Sequence, residues 1–555
     1  MHKIIKKTIK YTACGIGVLL LAIILFVSIL YFSADMLTPY YTPKANGELV
    51  QTDSLREYAG NYLRQSNSGL WELKVSGDAF QRGEAIGKLS SDLLYYQEKA
   101  FVDQIREIVP SDNYLKFLRF FIVLFNRNLG KNVPEEFRDE IYGISLSCTH
   151  EYDFIGTPYE RQLNYHSAHD LGHAMQDYML VGCSSFATWG ENSADSSLII
   201  GRNFDFYMGD KFAHNKLVSF YQPEQGYKFA SVGWPGMIGV LSGMNETGLT
   251  VTINAAKSDM PTASATPISI LTREILQYAS TIDEAYAIAL KRKTFVSESI
   301  LIGSARDGRA AIIEKSPEKT ALFTSGGNQI ICTNHYQSET FRNDKRNKEN
   351  IATSDSPYRF ARLQELLKEN NPIDPMKAAS ILRNQKGLDN IDLGMGNEMA
   401  INQLIAHHSV IFLPEKQIMY VSTSPWQCGK YMAYDLNKIF SDTIDFHHEI
   451  ATLNLTIPED NFIRQASYKQ FMAYKQLTKL IREKTQRKET IETKVLNLYE
   501  ASNPSFYYVY EVLGDYYAAI QQTDIAITYW QKALTMPIPK QAEKVRIQQK
   551  INKNQ

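Results

Sequence analysis

The chain changes texture at Cys183. Before it, over about 90–180, apolar residues recur with helical spacing, as in SDLLYYQEKAFVDQIREIV and NYLKFLRFFIVLFNRNL. After it come short strand-like runs: SSFATW, SSLIIGRNF, KLVSFYQ, KFASVGW, IGVLSG and LTVTIN. Turn residues such as Gln225-Gly226 and Asn245-Glu246-Thr247-Gly248 separate them. Two helical patterns follow, around 269–278 and 282–291. Then come the strands SILIGSA, AAIIEKS and QIICTN, a helical block over about 357–383, and the hairpin SVIFLPEKQIMYVST. Strands, then helices, then strands again predict an α+β chain with helix layers packed on two sheets.

The first 33 residues impose a second constraint. Lys3, Lys6, Lys7 and Lys10 precede the apolar run 11–32, whose 22 residues suffice at helical rise to cross a hydrocarbon layer of about 30 Å. The basic flank is expected on the cytoplasmic side, which places everything after Ser33 outside, on the periplasmic face in a bacterium. A cleavable signal peptide is the alternative. Its apolar stretch would be shorter and would end in a small-x-small site, of which Ser33-Ala34 is a poor version. The expectation is therefore a retained single-pass anchor.

Four regions follow: a basic flank and transmembrane anchor (1–33), a stalk and mostly helical pro-segment (34–182, with 34–70 as the polar stalk), a core (183–450), and a C-terminal all-α extension (460–555). Within the last, Tyr510, Leu513, Gly514, Tyr517, Ala526, Trp530, Ala533 and a proline at 537 or 539 resemble one tetratricopeptide repeat. A solitary repeat cannot bury its own faces. The extension is therefore read as a cap on the core in preference to a peptide-binding array, with a protein partner at these helices as a further expectation.

With 59 basic and 60 acidic residues, the charge balance gives no electrostatic case for nucleic acid. The run Arg342, Lys345, Arg346, Lys348 is interleaved with Asn, Asp and Glu and reads as a solvated loop. None of the five cysteines forms a CxxC pair, so neither a zinc knuckle nor a disulfide framework is indicated.

The chemistry centres on Val181-Gly182-Cys183-Ser184-Ser185-Phe186. A cysteine opens the first strand of the β region with a glycine directly before it. Its thiol can attack the preceding carbonyl, shift the acyl group from nitrogen to sulfur, and let water release it. Gly182 has no side chain to hinder the attack. The product carries Cys183 at a new N-terminus, whose amine, with a pKa of about 7.7–8.0, serves as base for its own thiol.

If SSFATW and SSLIIGRNF pair as a hairpin about Ser193, partner numbers sum to about 386, and Cys183 lies opposite Asn203 within a slip or two. Arg202 and Asp205 then fall near the nucleophile. The arginine favours a thiolate and the carboxylate can hold the new ammonium. An acyl intermediate needs oxyanion donors. Asn254 by its backbone N–H and Asn334 by its side chain are the candidates, each at a strand end.

These motifs carry a resemblance. GCSSF, GRNFDF (201–206), GMNETGLTVTIN (243–254) and CTNHY (332–336), with the upstream GDAFQRG (77–83) and Gly87, resemble the N-terminal-nucleophile hydrolases. Among them the sequence is most similar to the acyl-coenzyme A:6-aminopenicillanic acid (isopenicillin N) acyltransferase family of autoproteolytic cysteine proteins. The similarity runs over about 70–430. It implies an αββα N-terminal-nucleophile sandwich, cleavage at Gly182–Cys183, and a site of Cys183, Arg202, Asp205, Asn254 and Asn334. A later arginine often completes such sites; Arg359 is the candidate and Arg362 its rival. The implied substrate is a small-molecule acyl amide or thioester, with no cofactor and no metal.

His166, His169 and His173 share a helical face at a spacing compatible with a metal, but no HExxH is present, and the reading expects none. His335 beside Asn334 suggests a Cys–His–Asn arrangement. Adjacent strand residues point to opposite faces, so both should not reach one site. His407-His408 reads as structural. The expected function is a membrane-anchored, self-cleaving cysteine amidohydrolase or acyltransferase working through an acyl-cysteine. The alternatives are acyl transfer from a thioester to an amine and, in another class, a non-catalytic envelope scaffold presenting the helical extension.

Overall fold

The computed structural model describes residues 2–41, 47–52, 54–108, 111–174, 180–257, 264–441 and 443–555. Residues 42–46 of the expected stalk lie outside them.

Two sheets carry the fold. The larger has 11 strands, in the order Val50–Gln51, Leu55–Tyr58, Asn61–Gln65, Trp71–Gly77, Leu217–Pro223, Phe229–Gly233, Ser242–Asn245, Leu249–Ala255, Glu298–Ser304, Arg309–Lys315, Thr320–Phe323. The smaller has six: Gln329–Cys332, Ser184–Gly190, Ser196–Phe204, His408–Leu413, Ile418–Ser422, Tyr431–Asp435. Pairing is antiparallel except between Trp71–Gly77 and Leu217–Pro223. The sheets face each other through Ala187, Leu198, Ile200, Val218, Phe220, Leu301, Val410 and Phe412, all buried. Outside the larger sheet lie helices that include Ala79–Leu89, Glu135–Ser145 and Ile268–Tyr278. Outside the smaller lie Ser356–Glu369 and Pro375–Leu382. The layering is helix, sheet, sheet, helix, because each half-buried sheet still has one apolar face to cover.

Strand alternation explains the layers locally. In Ser184–Gly190, Phe186 turns to the outer helices while Ala187 turns inward. Phe186 lies across the ladder from Gly201, where a β-carbon would sit 2.5 Å from its ring, so that position must be glycine.

Two readings are corrected. The segment 34–70 is not a stalk: 55–65 forms two strands of the larger sheet, in which Leu55, Asn61, Leu63 and Arg64 are buried and Arg56 and Glu57 half-buried. The basic run after Arg342 is not a loop either. Asp344 caps a helix, Lys345–Thr353, by accepting from the backbone N–H groups of Arg346 and Asn347.

The GDAFQRG segment has a packing role. Asp78 caps the helix Ala79–Leu89 with a capping box to Gln81. Arg82 bonds the buried Glu140, and Gly83 lets the helix Glu135–Ser145 approach until a β-carbon would sit 2.0 Å from the Glu140 carbonyl oxygen.

At the C-terminus, helices Tyr507–Ala519 and Thr523–Leu534 pack closely, with Gly514 against the Trp530 ring. Their neighbours reach back to the core. Asn503 bonds both the N–H and the carbonyl of Met395, and Asn397 donates to the Pro537 carbonyl.

Candidate active site

Cys183 stands at the mouth of the hairpin Ser184–Gly190/Ser196–Phe204. The register is Ser184↔Asn203, one residue from the expected pairing. The cause is local: near the turn Gly190 pairs with Ser196, and an irregularity between Thr188 and Gly190 shifts the rest of the ladder by one. The upstream side is fixed as well. Val181 pairs with Phe206, and the Gly182 N–H donates to the Asp205 carbonyl at 3.1 Å.

The Cys183 side chain is buried. Burial pushes its thiol up to about 11, opposed by the Arg202 guanidinium, whose Nη2 lies 3.8 Å from Sγ. Arg202 itself is held from the larger sheet. It donates to the carbonyls of Leu241 (3.0 Å) and Ile253 (2.6 Å), bonds Ser242 Oγ, and covers the Phe204 ring at 4.3 Å. His408 joins this network through Ser242 Oγ at 2.8 Å.

Asp205 is fully buried, and neither carboxyl oxygen meets a hydrogen-bond partner among the described residues. Burial raises its carboxyl to about 7, with Arg359 and Arg202 opposing the shift. A buried acid without a partner is costly.

Arg359 and Arg362 part company. Arg359, on the helix Ser356–Glu369, points inward. Its Nη1 donates to the Cys183 carbonyl (2.7 Å) and Ser184 Oγ (2.9 Å), its Nη2 to Asn334 Oδ1 (2.7 Å), and its Nε to Asp355 (2.8 Å). Arg362, one turn on, bonds Glu365, Asn384 and Asn390, away from Cys183. Asn334 Nδ2 donates to the Ala255 carbonyl at 2.8 Å. The side chain of Asn254 accepts from Ser185 Oγ and donates to the Cys332 carbonyl, tying the larger sheet to the nucleophile's strand. The structure thus brings Cys183, Arg202, Asp205, Asn254, Asn334 and Arg359 together. His335 turns aside to Ser356 and Thr333.

His166 is fully engaged: Nδ1 donates to the Gln162 carbonyl (2.7 Å), Nε2 accepts from the Ile238 N–H (3.0 Å), and burial lowers it to about 4. A neutral ring with both nitrogens occupied has no lone pair left for a metal. The side chains of His169 and His173 lie outside the described residues.

Sequence reasoning missed Gln403. Its Nε2 donates to the Gly182 carbonyl at 2.9 Å, the carbonyl that the Cys183 thiol would attack. A β-carbon on residue 182 would lie 2.6 Å from that same nitrogen, so glycine there keeps the amide seated. The only sequence hint is the glycine-rich bend Gly394-Met395-Gly396 a few residues upstream.

Beside the nucleophile an aromatic path runs from Phe204 to Phe206 (5.6 Å between centroids) and on to Trp234 (6.0 Å). There it meets a cleft, partly open to solvent, lined by Phe206, Phe212, Trp234 and Met237 with Gln97, Glu98, Gln162 and His166.

Residues 190–403 match the sequence model of a family described as acyl-coenzyme A:6-aminopenicillanic acid acyl-transferase. Curated relatives include an uncharacterized protein of Archaeoglobus fulgidus, 24% identical over 277 residues, 47% of this chain and 46% of the relative. Protein dcd1B of Dictyostelium discoideum is 23% identical over 271 residues, 45% of this chain and 51% of the relative. The chain thus spans about half the length of the curated relatives it matches. Among solved structures, a Caenorhabditis elegans ortholog of N-acylethanolamine-hydrolyzing acid amidase aligns with a TM-score of 0.32 and 14% identity, over 42% of this chain and 93% of its own. Penicillin V acylase from Agrobacterium tumefaciens aligns with a TM-score of 0.30 and 15% identity, over 46% of this chain and 87% of its own.

Proposed function

We propose that this chain, whose residues 190–403 match the acyl-coenzyme A:6-aminopenicillanic acid acyl-transferase family, is a membrane-anchored cysteine amidohydrolase or acyltransferase that activates itself by cutting before Cys183. The observation that carries the reading is the setting of the Gly182–Cys183 peptide: a thiol beside Arg202, a carbonyl held by Gln403, and a buried Asp205 carboxyl without a partner.

In the cut, the Cys183 sulfur bonds to the Gly182 carbonyl carbon and the C–N bond breaks. The thiol proton passes to the departing nitrogen. Water then hydrolyses the thioester, leaving Gly182 as a carboxylate and Cys183 with a free thiol and a free amine. Gln403 faces the oxygen that becomes negative. When the new amine takes up a proton, the ammonium gives Asp205 its missing partner, and the cost of that buried acid in the uncut chain turns into an attraction in the cut one.

In turnover, the amine takes the thiol proton and sulfur attacks the acyl carbonyl. An amide nitrogen carries two N–H donors, so Asn334 can keep Ala255 and still meet an oxyanion. Asn254 is assigned the second donor through its backbone. Arg359 orients Asn334 by its Oδ1 and fixes the Cys183 carbonyl. The aromatic cleft suits an apolar acyl group, and water or an amine takes it from sulfur.

The test is intact-mass analysis of the full chain beside Cys183→Ala, followed by amine release from a panel of apolar acyl amides. Two fragments, the larger beginning at Cys183, with an uncut variant, support the reading. An uncut parent refutes self-activation.

A further inference from the structure

The surface around the first apolar helix bears on how the body sits. The stretch Cys14–Tyr31 is long and apolar enough to cross a bilayer. The helix ends at Phe32, and the chain is fastened to the folded body almost at once. The Asp35 N–H donates to the Arg127 carbonyl (3.4 Å), the Met36 carbonyl accepts from the Tyr159 hydroxyl (3.3 Å), and the Leu37 carbonyl accepts from Arg138 Nη1 (3.0 Å). Met36 is itself part of the apolar core. Three residues of chain reach at most about 10 Å. The body therefore lies against whatever surface the helix emerges from.

The part of the body at that junction is the helix Asp112–Phe125. The Tyr31 ring stacks on Phe120 at 5.2 Å. Ring contacts continue from Phe120 to Phe121 (5.6 Å), Phe121 to Phe117 (5.1 Å) and Phe117 to Tyr114 (6.0 Å). Tyr114, Phe117 and Phe121 share one helical face, and they are 49%, 55% and 51% exposed. After Asp112 the helix holds no acidic residue. Arg119 turns from this face to Glu160 at 3.6 Å, whereas Lys116 remains exposed. An aromatic stripe flanked by lysine, continuous with an apolar span, has the composition of a helix lying in the headgroup zone.

We propose that the Tyr114–Phe117–Phe121 face is a membrane-contact surface, seated in the interfacial layer of the bilayer that the first helix spans. The inference rests on the anchored reading of that helix. A second copy of the chain would bury the rings equally well, but the short, fastened exit from the span favours the lipid.

The test uses the full chain in phosphatidylcholine–phosphatidylglycerol vesicles with and without brominated acyl chains. Phe117→Trp and Phe121→Trp each add one fluorophore on the face, and Leu498→Trp, on an exposed C-terminal position, is the control. The native tryptophan signal is subtracted. The expected result is a blue-shifted emission at 117 and 121, most of it lost in brominated vesicles, with no loss at 498. A chain that floats with the vesicles while 117 and 121 match 498 overturns the contact surface and leaves the anchor standing. If unquenched 117 and 121 accompany cross-linked dimers, the face belongs to a second copy. A chain that does not float removes both the anchor and this inference, whatever the outcome of the cleavage assay.

Discussion

Replacing Gln403 by leucine removes the amide that faces the Gly182 carbonyl while keeping most of its volume. The contact is 2.9 Å and the side chain is buried. In the uncut ground state it is a neutral hydrogen bond, worth about 0.5–1.5 kcal/mol net. As sulfur adds, the oxygen gains charge, and such bonds are worth about 1.5–3 kcal/mol. Only the difference affects the rate. Loss of a full oxyanion donor costs about 2.7–4 kcal/mol, which sets the upper side. A barrier increase of about 1–3 kcal/mol follows, slowing self-cleavage by about 5- to 150-fold.

The assay is the half-time of conversion after pulsed cell-free synthesis, read by intact mass and compared with wild type and Gln403→Glu. The glutamate sets a negative oxygen against the carbonyl and should be slower still above its own pKa. Gly182 leaves the nucleophile when the peptide is cut, so turnover by chains that have already cut should change less than the cleavage rate does. A Gln403→Leu chain with an unchanged thermal midpoint and a wild-type half-time would refute the assignment.

Other outcomes follow from the same site. In a Cys183→Ala background, Asp205 ionises near 3.8 when unfolded and about 7 when folded, so the folded chain holds an extra proton between those values. Stability then falls as pH rises through that window, by up to about 4 kcal/mol. Adding Asp205→Asn should remove that part of the slope and raise the denaturant midpoint at pH 8; an unchanged profile would mean that the acid has a partner. Arg359→Lys cannot span Cys183, Asn334 and Asp355 at once. It should lower self-cleavage and turnover by about 10- to 100-fold, less than the 10²–10³ of a direct donor, with about 3 kcal/mol of lost stability from the loosened buried pair. Arg362→Gln should move only the thermal midpoint, and equal losses of activity in the two variants would reverse the assignment.

What the sequence disclosed follows from which interactions are local. The hairpin about Ser193 placed Arg202 and Asp205 near Cys183 because strand pairing is an arithmetic of residue numbers, and one irregularity at Thr188/Gly190 changed it by a single step. Asn334 and Arg359 are separated by 25 positions yet share a 2.7 Å bond. Their pairing needed a family resemblance, since nothing in the helix SPYRFARL distinguishes the inward arginine from the one that follows it. Gln403 was invisible for a stronger reason. It reaches Gly182 across 221 positions, on a bend with no periodicity, and its partner is a backbone carbonyl that leaves no mark in the sequence.

The stalk shows the converse. Polar, turn-rich composition at 34–70 describes short strands near the rim of a sheet as well as it describes a linker. Only the strand Trp71–Gly77 beside it, pairing in parallel with Leu217–Pro223, decides between them. That pairing also bears on the two fragments expected from cleavage. Residues 55–77 belong to the upstream fragment, but they complete the larger sheet and bury Leu63, Leu73 and Val75 in its core. Fully burying such side chains stabilises by about 1.5–3 kcal/mol each. Separation of the fragments would expose them along with an unpaired sheet edge. The proposed cut would therefore free an amine at Cys183 without freeing the segment that carried it.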